Sequence, residues 1–123
     1  MKAYRVMVTG SRDWDDLHAI FDAVWKVIED HGNVVFIHGD CRGADTKAAN
    51  AAVGIGCAGI EVFPADWKTY GKRAGFVRNQ QMVDTKPDLV LAFHRNGSPG
   101  TQDAIERALA AAIPVRLFKR DDA

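Results

Sequence analysis

Several things are scarce in this chain, and each scarcity closes off a class of function. There is no excess of either charge: 16 Lys and Arg stand against 16 Asp and Glu. That balance argues against nucleic-acid binding driven by bulk charge, while leaving room for a local basic cleft. Only 2 cysteines occur, Cys41 and Cys57, with no spacing of the zinc or disulfide-framework kind. A reduced, cytoplasmic setting is the simpler expectation. No apolar run approaches membrane-spanning length, and the one in MKAYRVMVTG is too short for a signal peptide. Neither a Walker loop nor the dinucleotide GxGxxG pattern is present. His38 and His94 form no metal signature, so no metal is expected. Repeats, low-complexity tracts and linkers are absent too.

What is present fits one domain. At 123 residues, 47% hydrophobic and 26% charged, the chain is long enough to bury a core. The expected domain spans 1–119, with a frayed tail over 120–123. Short apolar runs rich in β-branched residues alternate with helical patterns. Strands are expected at Tyr4–Thr9, Val34–His38, Ile60–Phe63, Leu89–Phe93 and Pro114–Phe118. Between the first two, Leu17, Ile20, Phe21, Val24 and Ile28 follow the helical period behind an Asp15 or Asp16 cap, and Gly32 ends the helix. Further helices are expected over Ala44–Val53, from Arg73 or Ala74 to Val83, and over Thr101–Ala112. The order βαβαβαβαβ, with near-continuous apolar strands, implies a Rossmann-like three-layer α/β/α sandwich with a five-stranded, mostly parallel sheet.

In such a sheet, ligands bind outside the carboxyl ends of the strands. The chain's unusual residues fall there: TGSRDW after the first strand, HGDCRGAD after the second, PADWKTYGKRAG after the third and FHRNGSPGT after the fourth. The opposite loops, HGN, GIGCAG, TKP and AIP, carry almost no reactive chemistry. Gly10 and Ser11 in the first turn, His38, Gly39 and Gly43 in the second, and Gly97, Ser98, Gly100 and Thr101 in the fourth suit close approach of a phosphate to a helix N-terminus. Glycine also serves tight strand-to-helix turns, so each loop alone is a weak signal. Arg12, Arg42, Arg73, Arg78 and Arg95 lie in or beside these loops, where arginine can grip phosphate or pair with Asp13, Asp40, Asp45 or Asp66. Trp14, Trp67 and Tyr70 can stack on a base or pack beneath a loop. Cys41 precedes a helix start, where a thiol can be activated, but no triad surrounds it.

Taken together, VTGSRDW, HGDCRGADTKAANAA, PADWKTYGKRAGFVRNQQM and AFHRNGSPGTQDAIERA resemble the SLOG superfamily (Smf/DprA, LOG and YpsA relatives). The closer likeness is to its YspA-type, cpYpsA-related branch, found in bacteria and phages. The similarity runs from about Val6 to Val115. It implies a single SLOG domain that binds a nucleotide or NAD-derived ligand at the carboxyl rim and requires no cofactor. In that picture Lys72, Arg73 and Arg78 face phosphate, Trp67 or Tyr70 faces base or ribose, and Asn79 supplies a polar edge.

The LOG branch hydrolyses nucleoside monophosphates, with an Arg opening RKxxM and a Glu three residues after the Thr of PGGxGTxxE. Here Arg78 and Met82 match the helix, Asn79 replaces the Lys, and Ala104 stands where the Glu would be. A hydrolase of N-glycosidic bonds needs a carboxylate. Asp103 is adjacent but about 100° round a helix, and Asp45 or Asp13 could serve from another loop.

Two readings therefore compete, with a third behind them. One is a sensor or sequestering module that does no chemistry. Another is a nucleoside-monophosphate or ADP-ribose-type hydrolase, with Arg78 and either Asp45 or Asp103 as catalytic groups. The third is a nucleic-acid module, against which the zero net charge counts. LOG relatives pair through helices, so the alanine-rich segments 44–53 and 101–112 would either join two or more copies or be buried within one.

Overall fold

The computed structural model describes residues 2–40 and 43–120. Its strands are β1 (Tyr4–Gly10), β2 (Val34–His38), β3 (Gly59–Val62), β4 (Leu89–Arg95) and β5 (Val115–Arg120). They pair in the order β3-β2-β1-β4-β5, and every pairing is parallel. The expected α/β sandwich is the observed one.

Parallel strands need helical crossovers, and right-handed crossovers place helices on both faces. Here α1 (Leu17–His31) and α2 (Ala44–Ile55) cover one face. On the other lie α4 (Ala74–Asp84) and α5 (Pro99–Ala110). A central strand must then be apolar on both sides. In β1, Val6 and Val8 join the first core while Met7 joins the second. Small residues let α2 lie close to the sheet: Ala44, Ala48 and Ala52 are fully buried within the chain, as are Ala104 and Ala108 of α5. Those stripes belong to the monomer core.

Some boundaries differ from expectation. Helix α5 begins at Pro99, two residues early, because Ser98 takes the cap position and proline suits the first turn. β4 runs to Arg95 because the Ser11 side chain pairs with its last residue. β5 runs to Arg120, one residue beyond the expected domain end, where it meets Arg95 across the ladder. Arg120 Nη1 also donates to Asp16 Oδ2 at 2.8 Å. The rest of the expected tail lies outside the described residues.

The segment PADWKTYGKR before α4, to which no helix was assigned from the sequence, contains a short helix, α3 (Trp67–Tyr70), and a 3₁₀ turn at Gly71–Arg73. Asp66 caps α3 by accepting from the Thr69 amide at 3.1 Å. No residue of α3 or of the turn is buried.

Candidate ligand-binding site

The strand order reverses beside β1. From there the chain goes one way to β2 and β3, then crosses back through α3 and α4 to β4 on the other side. The loops leaving β1 and β4 diverge, which opens a crevice at the carboxyl ends. A cavity of about 510 Å3 occupies it, within the ordinary range for small-molecule sites.

The floor is tightly held. Ser11 is 1% exposed, and its Oγ accepts from the Arg95 amide at 2.8 Å and donates to the Arg95 carbonyl at 3.3 Å. One hydroxyl thus clasps the ends of β1 and β4. Gly10 allows α2 to approach, since a side chain there would collide with Ala44. Gly43 adopts φ 92°, and a Cβ on it would meet the Ser11 carbonyl oxygen at 2.5 Å and Arg12 Cα at 2.6 Å. Its role is to seat α2 on the first loop; it does not line the cavity. Trp14 is buried edge-on to Phe93, so it packs and does not stack on a ligand.

Beside this floor, Asp45 is 4% exposed, lines the cavity and accepts from the Gly39 amide at 3.3 Å through Oδ2. Arg78, on α4, crosses over β2's loop. Its Nη1 donates to the Gly39 carbonyl and its Nε to Asn79 Oδ1 at 3.0 Å. Nη2 makes no hydrogen bond among the described residues, and Arg78 lines the cavity. Asn79 passes the chain on, donating to the Gly100 carbonyl at 3.2 Å and to Asp103 Oδ2 at 3.0 Å. This buried relay fixes the guanidinium against the start of α5.

The other wall is open. Trp67, Lys72 and Phe76 line the cavity, and all three are exposed. Trp67 retains 53% of its surface and Phe76 41%. The α5 end contributes Ser98, Gly100 and Thr101, with Thr101 Oγ1 donating to Ser98 Oγ at 3.2 Å. Arg12 completes the rim. A shallow cleft with two aromatic rings, Arg12, Lys72, Arg78 and a helix N-terminus can take a flat apolar group joined to an anion.

Other expected residues lie elsewhere. Tyr70 and Arg73 sit on the neighbouring segment without lining the cavity. Gly97 shapes the turn before α5 at φ 67°. His38 Nδ1 accepts from the Asp40 amide at 3.1 Å, which supports the turn and not the cavity. Asp103 is turned to Arg107, whose Nε donates to it at 2.8 Å, and it does not reach the cavity. Ala104 is buried in the second core. Arg42 and Cys41 fall outside the described residues. Among those described, no cluster of three or more His, Cys, Asp or Glu could hold a metal, and no helix is long and apolar enough to cross a membrane.

Asp13, a candidate carboxylate, also lines the cavity, as do residues that the sequence reading did not assign, notably Phe76 and Asn96. For Phe76 a signal existed: it lies off the buried stripe Ala74, Arg78, Met82 of its own helix. A large ring there serves no core.

Comparison with known proteins agrees with this architecture. The family model described as "YspA, cpYpsA-related SLOG family" matches residues 4–70. The Gene 61 protein of Mycobacterium phage D29 is 41% identical over 120 residues, covering 93% of this chain and 95% of that one. The X-ray structure of DNA processing protein A (DprA) from Streptococcus pneumoniae superposes with a TM-score of 0.70 at 20% identity. It covers 94% of this chain, which spans only 50% of DprA, and the likeness is one of fold.

Proposed function

This chain belongs to the YspA, cpYpsA-related SLOG family, and from that premise we propose that it binds a nucleotide or nucleotide-derived ligand at the carboxyl rim, as a sensor or sequestering module. The observation that carries the reading is the cavity at the strand-order reversal, where exposed rings face a fixed cation. Trp67 and Phe76 offer faces for a base. Arg78 Nη2, Arg12 and Lys72, with the N-terminus of α5, suit phosphate. Because Arg78 is already held by Gly39 and Asn79, little side-chain freedom would be lost on binding.

The test is calorimetric titration of the protein with nucleoside monophosphates, nucleoside diphosphates, NAD and ADP-ribose, followed by mass analysis of the recovered ligand. A bound nucleotide recovered intact is the expected result. Arg78→Ala should weaken it by roughly ten- to a hundredfold, about 1.4 kcal/mol for each factor of ten. Absence of binding across the whole panel would overturn the reading.

Asp45 supports a second reading, hydrolysis of an N-glycosidic bond. Asp45 and Asp13 both line the cavity, and of the two Asp45 is the buried one, whereas Asp103 pairs with Arg107. Under that reading free base and ribose phosphate appear on incubation, and Asp45→Asn abolishes their release. A nucleic-acid role would instead show affinity for single-stranded oligonucleotides falling steeply with salt.

A further inference from the structure

Two residues of α5 that do not line the cavity are connected to it through Asn79. The Asp103 carboxylate turns toward α4, away from the cleft. Its Oδ2 accepts from two donors, Asn79 Nδ2 at 3.0 Å and Arg107 Nε at 2.8 Å. Arg107 in turn bridges the helices, because its Nη1 donates to Gln80 Oε1 on α4 at 2.9 Å. Helix α4 carries Arg78, and the start of α5 brings Ser98, Gly100 and Thr101 to the cavity. The contact therefore joins the two elements that would meet an anion.

Partners alone set the sense of the Asn79 amide. Arg78 Nε can only donate, while the Gly100 carbonyl and the Asp103 carboxylate can only accept. An amide turned the other way would set donor against donor and acceptor against acceptors. Asn79 is 4% exposed, and unmet polar groups at such a site are costly. Of the two acceptors, Gly100 offers a neutral carbonyl at 3.2 Å and Asp103 a carboxylate at 3.0 Å, so Asp103 supplies the stronger hold. With the amide this way round, Asn79 Oδ1 occupies Nε and the Gly39 carbonyl occupies Nη1. Gly39 leaves the room this needs, since a side chain there would collide with the Arg78 guanidinium.

Resting on the nucleotide reading above, we infer that Asp103, held by Arg107, is a positioning residue for the anion: it acts through Asn79 to aim Arg78 and touches no ligand itself. Its removal frees the Asn79 amide to turn, and with it the Nε end of the guanidinium, while Nη1 stays on Gly39. The loss then falls on a ligand's phosphate and spares the contacts to its base.

Calorimetry on the intact chain, with the tightest binder among AMP, GMP, CMP, UMP, ADP-ribose and NAD, tests this. Asp103→Ala should weaken binding roughly tenfold and Arg107→Ala roughly threefold. In an Arg78→Ala background the Asp103→Ala loss should vanish, because the group being aimed is gone. A clamp that only holds the helices together would cost affinity in either background, and that additive result overturns the inference. So does an equal loss for the matching nucleoside without phosphate, followed by NMR titration. Asp103→Asn keeps the volume and should show the same dependence on Arg78, so a folding defect in the alanine variant does not decide the outcome. One readout needs no ligand: the Arg78 Nε–H resonance should be protected from solvent exchange in the wild type and lost at neutral pH in Asp103→Ala. An unchanged resonance overturns the relay. If nothing in the panel binds, the nucleotide reading falls, and this resonance still decides whether Asp103 aims Arg78.

Discussion

On the sheet side of the cavity, Ser11, Asp45, Arg78 and Asn79 are each less than a tenth exposed, and each is joined to backbone or to another side chain. On the opposite side, every residue from Trp67 to Arg73 is exposed, and the segment has no core anchor of its own. The first wall is organised by folding. Its polar groups are paired because burial without partners would be costly. The second wall is held by the Asp66 cap and its contacts with α4, so its rings and Lys72 are free to adapt. Under the proposed function, a site built this way would fix where the anion goes and leave room for what surrounds it.

The contrast can be broken most forcefully at Gly43. Gly43→Ala puts a methyl into the backbone of Ser11 and Arg12 at φ 92°. Strain and overpacking together should cost roughly 2–5 kcal/mol in urea denaturation. A loss within about 0.5 kcal/mol, the ordinary surface range, would mean the floor is not rigid.

A smaller effect, on binding and not on folding, is expected at Trp67. Trp67→Ala should weaken nucleotide binding by about 1–3 kcal/mol, the usual worth of a base stacked on a ring. Its denaturation midpoint should stay within the surface range. Should stability fall and affinity hold, Trp67 would be a packing residue and the second wall no binding surface.

The smallest expected change follows pH. The Asp66 carboxyl is held below its ordinary value of 3.8 by the hydroxyl and then the amide of Thr69. A lowered folded value means the cap contributes above 3.8 and is lost as pH falls through the folded value beneath it. The Thr69 amide should therefore titrate in a nitrogen–proton NMR spectrum with an inflection below 3.8. An inflection at or above that figure would show that the cap does not hold α3. Asp16, bonded to the Ala19 amide, shifts in the same direction at the start of α1.

Much of this was legible beforehand. Among the described residues, the alternation of apolar runs and helical periods named all five strands and four of the five α-helices, because both periods are local properties of the backbone. The missed helix, α3, is only four residues long, too short for its period to register. Its Asp66 cap was visible as a residue type but not as a cap. Clustering of Gly, Arg and Asp after each strand located the rim. The pairing of lining residues was less readable: Tyr70 and Trp67 look equivalent in WKTY, yet only Trp67 borders the cleft.

By itself, then, the amino-acid sequence determined the order of elements, the doubly covered parallel sheet and the end of it where the cavity opens. Those follow from hydrophobic periodicity and turn residues, each decided within a few positions of chain. Tertiary structure alone decided that Asp45 borders the cavity and Asp103 does not, and that Phe76 faces the site. It also set Arg78 against Gly39, 39 residues away. Such neighbours depend on where the strand order reverses and on how each helix is rotated against the sheet. Both are settled by packing over the whole domain.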